Sequence, residues 1–186
     1  MFDFSRFSIL FFYFFIFVSW FLLFVVFPNV GSSFATLESS RENLKIVPEP
    51  EDTNTTKGTD RSDIIVGNSE ANIIKGKESD DVLMGRQSND ELYGNVGNDV
   101  LNGNTGADVI FGNEGNDVLF AGPEDDFMTG SEGNDELYAD IGDDVLEGGP
   151  GKDYFDCGGG YDTIVDFRKL EGDSALNNCE EVRVNV

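Results

Sequence analysis

The chain has 186 residues, of which 36 are acidic and 12 basic, for a net charge of −24, and it contains no histidine. That charge repels nucleic acid and anionic lipid and favours cations, while the missing histidine removes the commonest general base, the commonest transition-metal ligand and every Ser-His-Asp or HExxH mechanism. Because 12 of the 17 phenylalanines precede residue 36 and the rest is acidic and glycine-rich, the body cannot rely on a large apolar core.

From Phe7 to Phe27 the chain runs without charge, interrupted only by Ser8 and Ser19, and is long enough to cross a bilayer as a helix. Arg6 precedes this run and no Lys or Arg follows until Arg41, so the positive-inside bias directs everything after it out of the cytoplasm. Residues 1–35 are thus a signal peptide or a signal anchor. Ser33-Phe34-Ala35 supplies small residues for cleavage before Thr36, whereas the length of the apolar run suits an uncleaved anchor. Residues 36–57 mix Ser, Thr, Pro and charge without a period, as a flexible linker does. Asn54-Thr55-Thr56 within them fits the N-glycosylation pattern.

From Gly58 the sequence divides every nine residues without an insertion: GTDRSDIIV, GNSEANIIK, GKESDDVLM, GRQSNDELY, GNVGNDVLN, GNTGADVIF, GNEGNDVLF, AGPEDDFMT, GSEGNDELY, ADIGDDVLE, GGPGKDYFD, CGGGYDTIV. Twelve units span 58–165. Position 6 is Asp in eleven units, with Asn72 the exception, position 8 is apolar in all twelve, and position 1 is Gly in nine.

Each column has a physical reading. In the triplet at positions 7 to 9 side chains alternate faces, so position 8 alone points inward from a very short strand. Strands of three residues gain stability by stacking, each pairing in parallel with the next turn, and the chain grows as a solenoid with a narrow core. Positions 1 to 6 are then turns, in which glycines at positions 1 and 4 permit backbone conformations closed to other residues and aim carbonyl oxygens at one point. Asp at position 6 adds a carboxylate. An all-oxygen donor set suits a hard cation of calcium size; alternatively each Asp caps its own turn.

The units resemble the GGxGxDxUx repeat of the RTX family, the haemolysin-type calcium-binding repeats. The resemblance implies an all-β, right-handed parallel β-roll in which two repeats make an 18-residue turn and several Ca²⁺ ions sit between stacked turns. It carries the ligand role to Asp99, Asp108, Asp117, Asp126, Asp135, Asp144 and Asp153. The accompanying glycines are Gly94, Gly97, Gly103, Gly106, Gly112, Gly115, Gly130, Gly133, Gly148 and Gly151. The first four units depart from the pattern, with Arg61, Glu70, Ser79 and Ser88 at position 4 and Lys77 and Arg86 at position 2, so weak or empty sites are expected in 58–90. The unit from Ala121 is irregular at Pro123 and Glu124.

Residues 58–165 hold 25 acids and 5 bases, net −20, and stacking brings like carboxylates to the strand spacing of about 4.8 Å. Folding is therefore expected to require cations. Residues 166–186 leave the repeat and are read as a cap on the last rung's open edge, with Cys157 and Cys179 positioned to tie it down as a disulfide in an exported chain.

Outward positions are more apolar than solvation requires: Val100, Val109, Phe111, Val118, Phe120, Phe127, Tyr138, Val145 and Tyr154. Sheet propensity in stacked ladders explains much of this; the alternative reading is a surface for a polysaccharide or protein partner. The sequence reads as an exported calcium-binding protein of structural or adhesive role, secreted or held at the cell surface, touching the membrane only through its N-terminal segment and with no nucleic-acid partner. The other reading is a polysaccharide-binding or polyuronate-modifying module, although no GxSxG or HExxH occurs and no catalytic residue is assigned.

Overall fold

A computed structural model describes residues 54–184 and, as backbone, 44–46; the expected N-terminal helix lies outside these residues. Strands follow one another in chain order: β1 (Leu44–Ile46), β2 (Thr55–Lys57), β3 (Ile64–Val66), β4 (Ile73–Glu78), β5 (Val82–Gln87), β6 (Glu91–Val96), β7 (Val100–Thr105), β8 (Val109–Glu114), β9 (Val118–Pro123), β10 (Phe127–Glu132), β11 (Glu136–Ile141), β12 (Val145–Glu147), β13 (Tyr154–Asp156), β14 (Thr163–Phe167), β15 (Ser174–Ala175) and β16 (Glu181–Val184). Odd-numbered strands form one eight-stranded sheet and even-numbered strands the other, in unbroken order. Every pairing is parallel, and within the repeats it joins residues 18 apart: Leu83 to Leu101 to Leu119 to Leu137 to Phe155 in one sheet, Ile74 to Leu92 to Ile110 to Met128 in the other. The fold is the stacked parallel solenoid that the nine-residue period predicts, in the all-β roll form with two repeats to a turn that the resemblance implied.

The core is one residue wide per strand. All twelve position-8 side chains, from Ile65 to Ile164, are fully buried. Two further columns also face inward, contrary to the expectation that position 8 alone does so. The position-6 aspartates are at most 4% exposed, and the position-1 residues close against them, with Ala121, Ala139 and Cys157 joining the apolar core. In cross-section the interior is therefore an apolar centre between two acidic margins.

The backbone requirements of the turns also differ from expectation. Left-handed φ falls at positions 2 and 4, not at 1 and 4: Asn95, Asn104 and Asn113 (φ 74 to 80°) occupy position 2, and Gly97, Gly106 and Gly115 position 4. Asparagine tolerates this region better than other non-glycine residues, which accounts for the recurring Gly-Asn pair. At position 4 a side chain would also strike the carbonyl of the same position one rung before, as Gly115 would strike Gly97 O.

Pairing extends past the repeats at both ends. β1 and β2 lie in the segment read as a linker and pair with β3 and β4. Thr56 stands opposite Ile74 where a thirteenth apolar residue would otherwise be, so the open edge of the first full rung is shielded. At the other end β15 pairs with β13 and β16 with β14, the latter through a register shift. Phe167, Ala175 and Cys179 pack on the core end, and a disulfide joins Cys157 to Cys179 across a Cα separation of 5.3 Å. Thiol labelling of the non-reduced, unfolded protein is expected to find no free cysteine. Reduction is expected to lower the stability of the calcium-loaded roll by about 3 kcal/mol, the magnitude for a loop of this length, measured as a fall in the urea midpoint.

Candidate metal centre

The position-6 column is built by hydrogen bonds between rungs. From Asp81 to Asp144, the backbone N–H of each Asp donates to Oδ1 of the Asp 18 residues later: Asp81 to Asp99, Asp99 to Asp117 and Asp117 to Asp135 on one side (2.7 to 2.8 Å), Asp90 to Asp108, Asp108 to Asp126 and Asp126 to Asp144 on the other (2.6 to 2.7 Å). These bonds turn every side chain inward and fix it. They leave the second oxygen in an unusual state. Oδ2 of Asp90, Asp99, Asp108, Asp117, Asp126, Asp135, Asp144, Asp153 and Asp162 is buried and accepts no hydrogen bond. A buried carboxylate oxygen without a partner costs several kcal/mol if ionised, and its repetition at one position marks a ligand-shaped demand.

In the six of these repeats that begin with glycine, the oxygen faces that glycine. A methyl group on Gly94 would overlap Asp99 Oδ2 and stand 2.7 Å from the Gly112 carbonyl; on Gly112 it would overlap Asp117 Oδ2 and stand 2.8 Å from the Gly130 carbonyl; on Gly103 it would overlap Asp108 Oδ2 and stand 2.9 Å from the Ala121 carbonyl. Glycine here is required by space, with two hard oxygens aimed at the same small volume. At Ala121 and Ala139 a fully buried methyl group takes that place, which narrows the space beside Asp126 and Asp144. Among the described residues no three carboxylates converge on one point, so a bound ion would draw its remaining donors from turn carbonyls. Carboxylate and carbonyl oxygens with no nitrogen or sulfur suit calcium, and the residues present fit it.

Burial pushes these carboxyls up: Asp99, Asp108 and Asp135 to about 6, Asp90, Asp117, Asp144 and Asp153 to about 7, and Asp126 to about 8. The N–H of the neighbouring rung opposes the rise in each. Like charge adds to it in most, and Asp126 stands highest with Asp108, Asp144 and Glu124 around it.

The first two repeats are arranged otherwise, and the next two carry irregular turns. Asp63 Oδ2 accepts from the Thr59 hydroxyl (2.9 Å) and Asn72 Oδ1 from the Asn68 N–H (2.8 Å), each closing its own turn onto the residue four before it. Ser88 at position 4 adopts a left-handed φ of 69° and donates its hydroxyl to the Ser69 carbonyl (2.9 Å). Lys77 and Arg86 at position 2 have φ of 105° and 93°, a strained choice for long side chains, and Lys77 Nζ lies 3.6 Å from Asp60.

Several functional positions escape a repeat-by-repeat reading. Asp90 and Asp162 share the geometry of the assigned aspartates. In the tail, Asp173 accepts from Asp153 N (3.0 Å) and Glu180 from Asp162 N (2.9 Å), continuing both columns. Extending the nine-residue frame places Glu180 at position 6, but Asp173 is displaced by two residues and leaves no periodic signal. Asp166 accepts from Gly148 N and Gly149 N (both 2.9 Å). A second ladder runs along position 5: the N–H of Asn98 donates to Asp80, Asn116 to Asn98, Asn134 to Asn116 and Lys152 to Asn134 (2.8 to 3.0 Å).

A parallel roll whose turns hold rows of buried, unsatisfied carboxylate oxygens defines a cation-binding repeat protein. Comparison with family models agrees: the RTX calcium-binding nonapeptide repeat (4 copies) matches residues 57–92, 93–128 and 129–164, more than half of the chain. The chain belongs to the RTX calcium-binding nonapeptide repeat family. No curated protein matches it.

Two outcomes are expected. With carboxyl groups near 7 in the roll and about 4 when unfolded, the calcium-free roll holds more protons than the unfolded chain across that interval. Its stability therefore falls as pH rises from about 4 to about 8. In EDTA, acidification from about pH 8 to about pH 5 should raise the far-UV CD β signal, and saturating Ca²⁺ should abolish the dependence. Gly112→Ala should shift the calcium midpoint of folding upward, whereas Gly159→Ala, with nothing within 4 Å of the added methyl, should leave it unchanged.

Proposed function

We propose that this protein is exported and folds on binding several Ca²⁺ ions outside the cell, where it serves as a structural or adhesive surface module. The observation that carries the reading is the row of buried Oδ2 atoms without hydrogen-bond partners. Asp99, Asp108, Asp117, Asp126, Asp135, Asp144 and Asp153 are the proposed ligands, with Gly94, Gly103, Gly112, Gly130 and Gly148 leaving the space for the ion. Gly97, Gly106, Gly115, Gly133 and Gly151 form the turns. Asp90 joins this set on geometry.

A net charge of −24 and buried carboxylates oppose the roll where calcium is scarce. Extracellular calcium modules work at Kd values of roughly 10⁻⁴–10⁻³ M, so the same chain is unfolded during export and folded after it. Several ions binding the roll alone add their contributions to its stability. The apolar, uncharged stretch Phe7–Phe27 supports export, and it is the only part assigned to the membrane.

Far-UV CD of residues 36–186, titrated with Ca²⁺ after EDTA and with Mg²⁺ as control, tests the reading. The expected result is a cooperative gain of β signal with Ca²⁺ alone, and an Asp117→Asn, Asp135→Asn double variant should need several-fold more Ca²⁺. A β spectrum indifferent to EDTA at neutral pH would make the aspartates turn formers and remove the calcium role.

A further inference from the structure

The two outer sheet faces each carry a Tyr–Phe stack, with the ring order reversed between them and a lysine covering the first ring on one face alone. On the even sheet, Tyr93 stacks on Phe111 with ring centroids 4.9 Å apart, and Lys75, one rung earlier, holds its ammonium 4.4 Å from the Tyr93 centroid. Glu91 accepts the Tyr93 hydroxyl (3.0 Å). On the odd sheet, Phe120 stacks on Tyr138 at 5.0 Å, and Glu136 accepts the Tyr138 hydroxyl (2.9 Å). The residue one rung before Phe120 is Asn102, too short to cover the ring as Lys75 covers Tyr93.

What results is an open groove of about 550 Å³ along the roll, lined by Asn102, Asn104, Phe120, Tyr138, Asp140 and Asp156. Tyr138 covers one face of Phe120, and Phe120 is 37% exposed. Its uncovered face looks toward Asn102. Two carboxylates stand at the other end of the groove, Asp156 steadied by the Asn178 amide (2.7 Å). The described lining includes no cation.

We propose that this groove binds an extended, lysine-bearing segment of a partner protein, one lysine ammonium seated over Phe120 with Asp140 and Asp156 beside the segment's other cations. The even sheet supplies the template, since there the chain's own lysine occupies the equivalent place. An ammonium is drawn to an aromatic face by the ring quadrupole, and a chain of net charge −24 attracts basic segments from a distance. The groove follows the roll axis across four rungs, which suits an extended backbone. This site is separate from the calcium turns, so its failure would leave the calcium reading intact.

The test uses the full chain saturated with Ca²⁺ and a fluorescein-labelled oligolysine peptide, followed by anisotropy. Its two companion probes are the same peptide with acetylated lysines and an oligomer of glucosamine. Phe120→Ala removes the ring. Asn102→Lys places a lysine of the chain itself over Phe120, as Lys75 stands over Tyr93, and keeps the test decisive if the first variant fails to reach the wild-type CD spectrum. A double variant, Glu114→Gln with Glu132→Gln, lowers charge away from the groove. The expected result is binding of the unmodified peptide, weakened roughly tenfold by each groove substitution and changed little by the glutamine pair, with no binding after acetylation. Equal binding to Asn102→Lys and wild type, equal binding of the acetylated peptide, or no binding at all would overturn the proposal. So would a glucosamine oligomer that binds through Phe120 where the peptide does not.

Discussion

From Asp90 to Asp162, each position-6 aspartate divides its two oxygens between incompatible tasks, and the rest of the roll is arranged around that division. One oxygen receives the N–H of the rung behind and so sets the 18-residue register; the other is carried into the interior and left without a hydrogen bond. The first task stabilises the stacked state by ordinary means. The second destabilises it unless a cation or a proton arrives. Folding and ion binding are coupled because they are assigned to the same carboxyl group.

Around this group the other columns divide the work. The apolar column contributes one buried side chain per repeat, and a core one residue wide cannot by itself offset a charge of −20 over twelve repeats. Position 1 leaves room, positions 2 and 4 bend the chain, and the position-5 ladder fastens the turn in the direction opposite to the aspartate ladder: Asn116 reaches back to Asn98 while Asp117 reaches forward to Asp135. Each full rung is thereby held from both sides by side chain to backbone bonds. In the early repeats Asp63 and Asn72 cap their own turns, and that end is built as an ordinary solenoid.

The stacked architecture, its apolar column and the recurrence of aspartate at position 6 were legible in the sequence because they follow strict periods, two within a strand and nine along the chain; that the aspartates turn inward was not. The reason for each glycine was not. Sequence shows that Gly94 and Gly97 recur, but not that one is required by the volume of Asp99 Oδ2 and the other by its backbone angle, since both leave the same letter. The ends were legible least. Thr56 and Ala175 serve where larger apolar residues stand elsewhere, and Asp173 fills its role from two residues out of frame, so no period reveals them. The stacking of Tyr93 on Phe111 and Phe120 on Tyr138 was equally hidden, because it depends on which repeats share a sheet.

The register has a genetic corollary. Because every ladder connects residues 18 apart, removing or duplicating a block of two repeats returns each aspartate, asparagine and apolar side chain to an equivalent neighbour, whereas a change of one repeat exchanges the two sheets beyond that point. The roll can thus lengthen or shorten in whole turns by unequal recombination without rebuilding its interior. The aromatic stacks, each confined to particular rungs, are the features that such editing would displace.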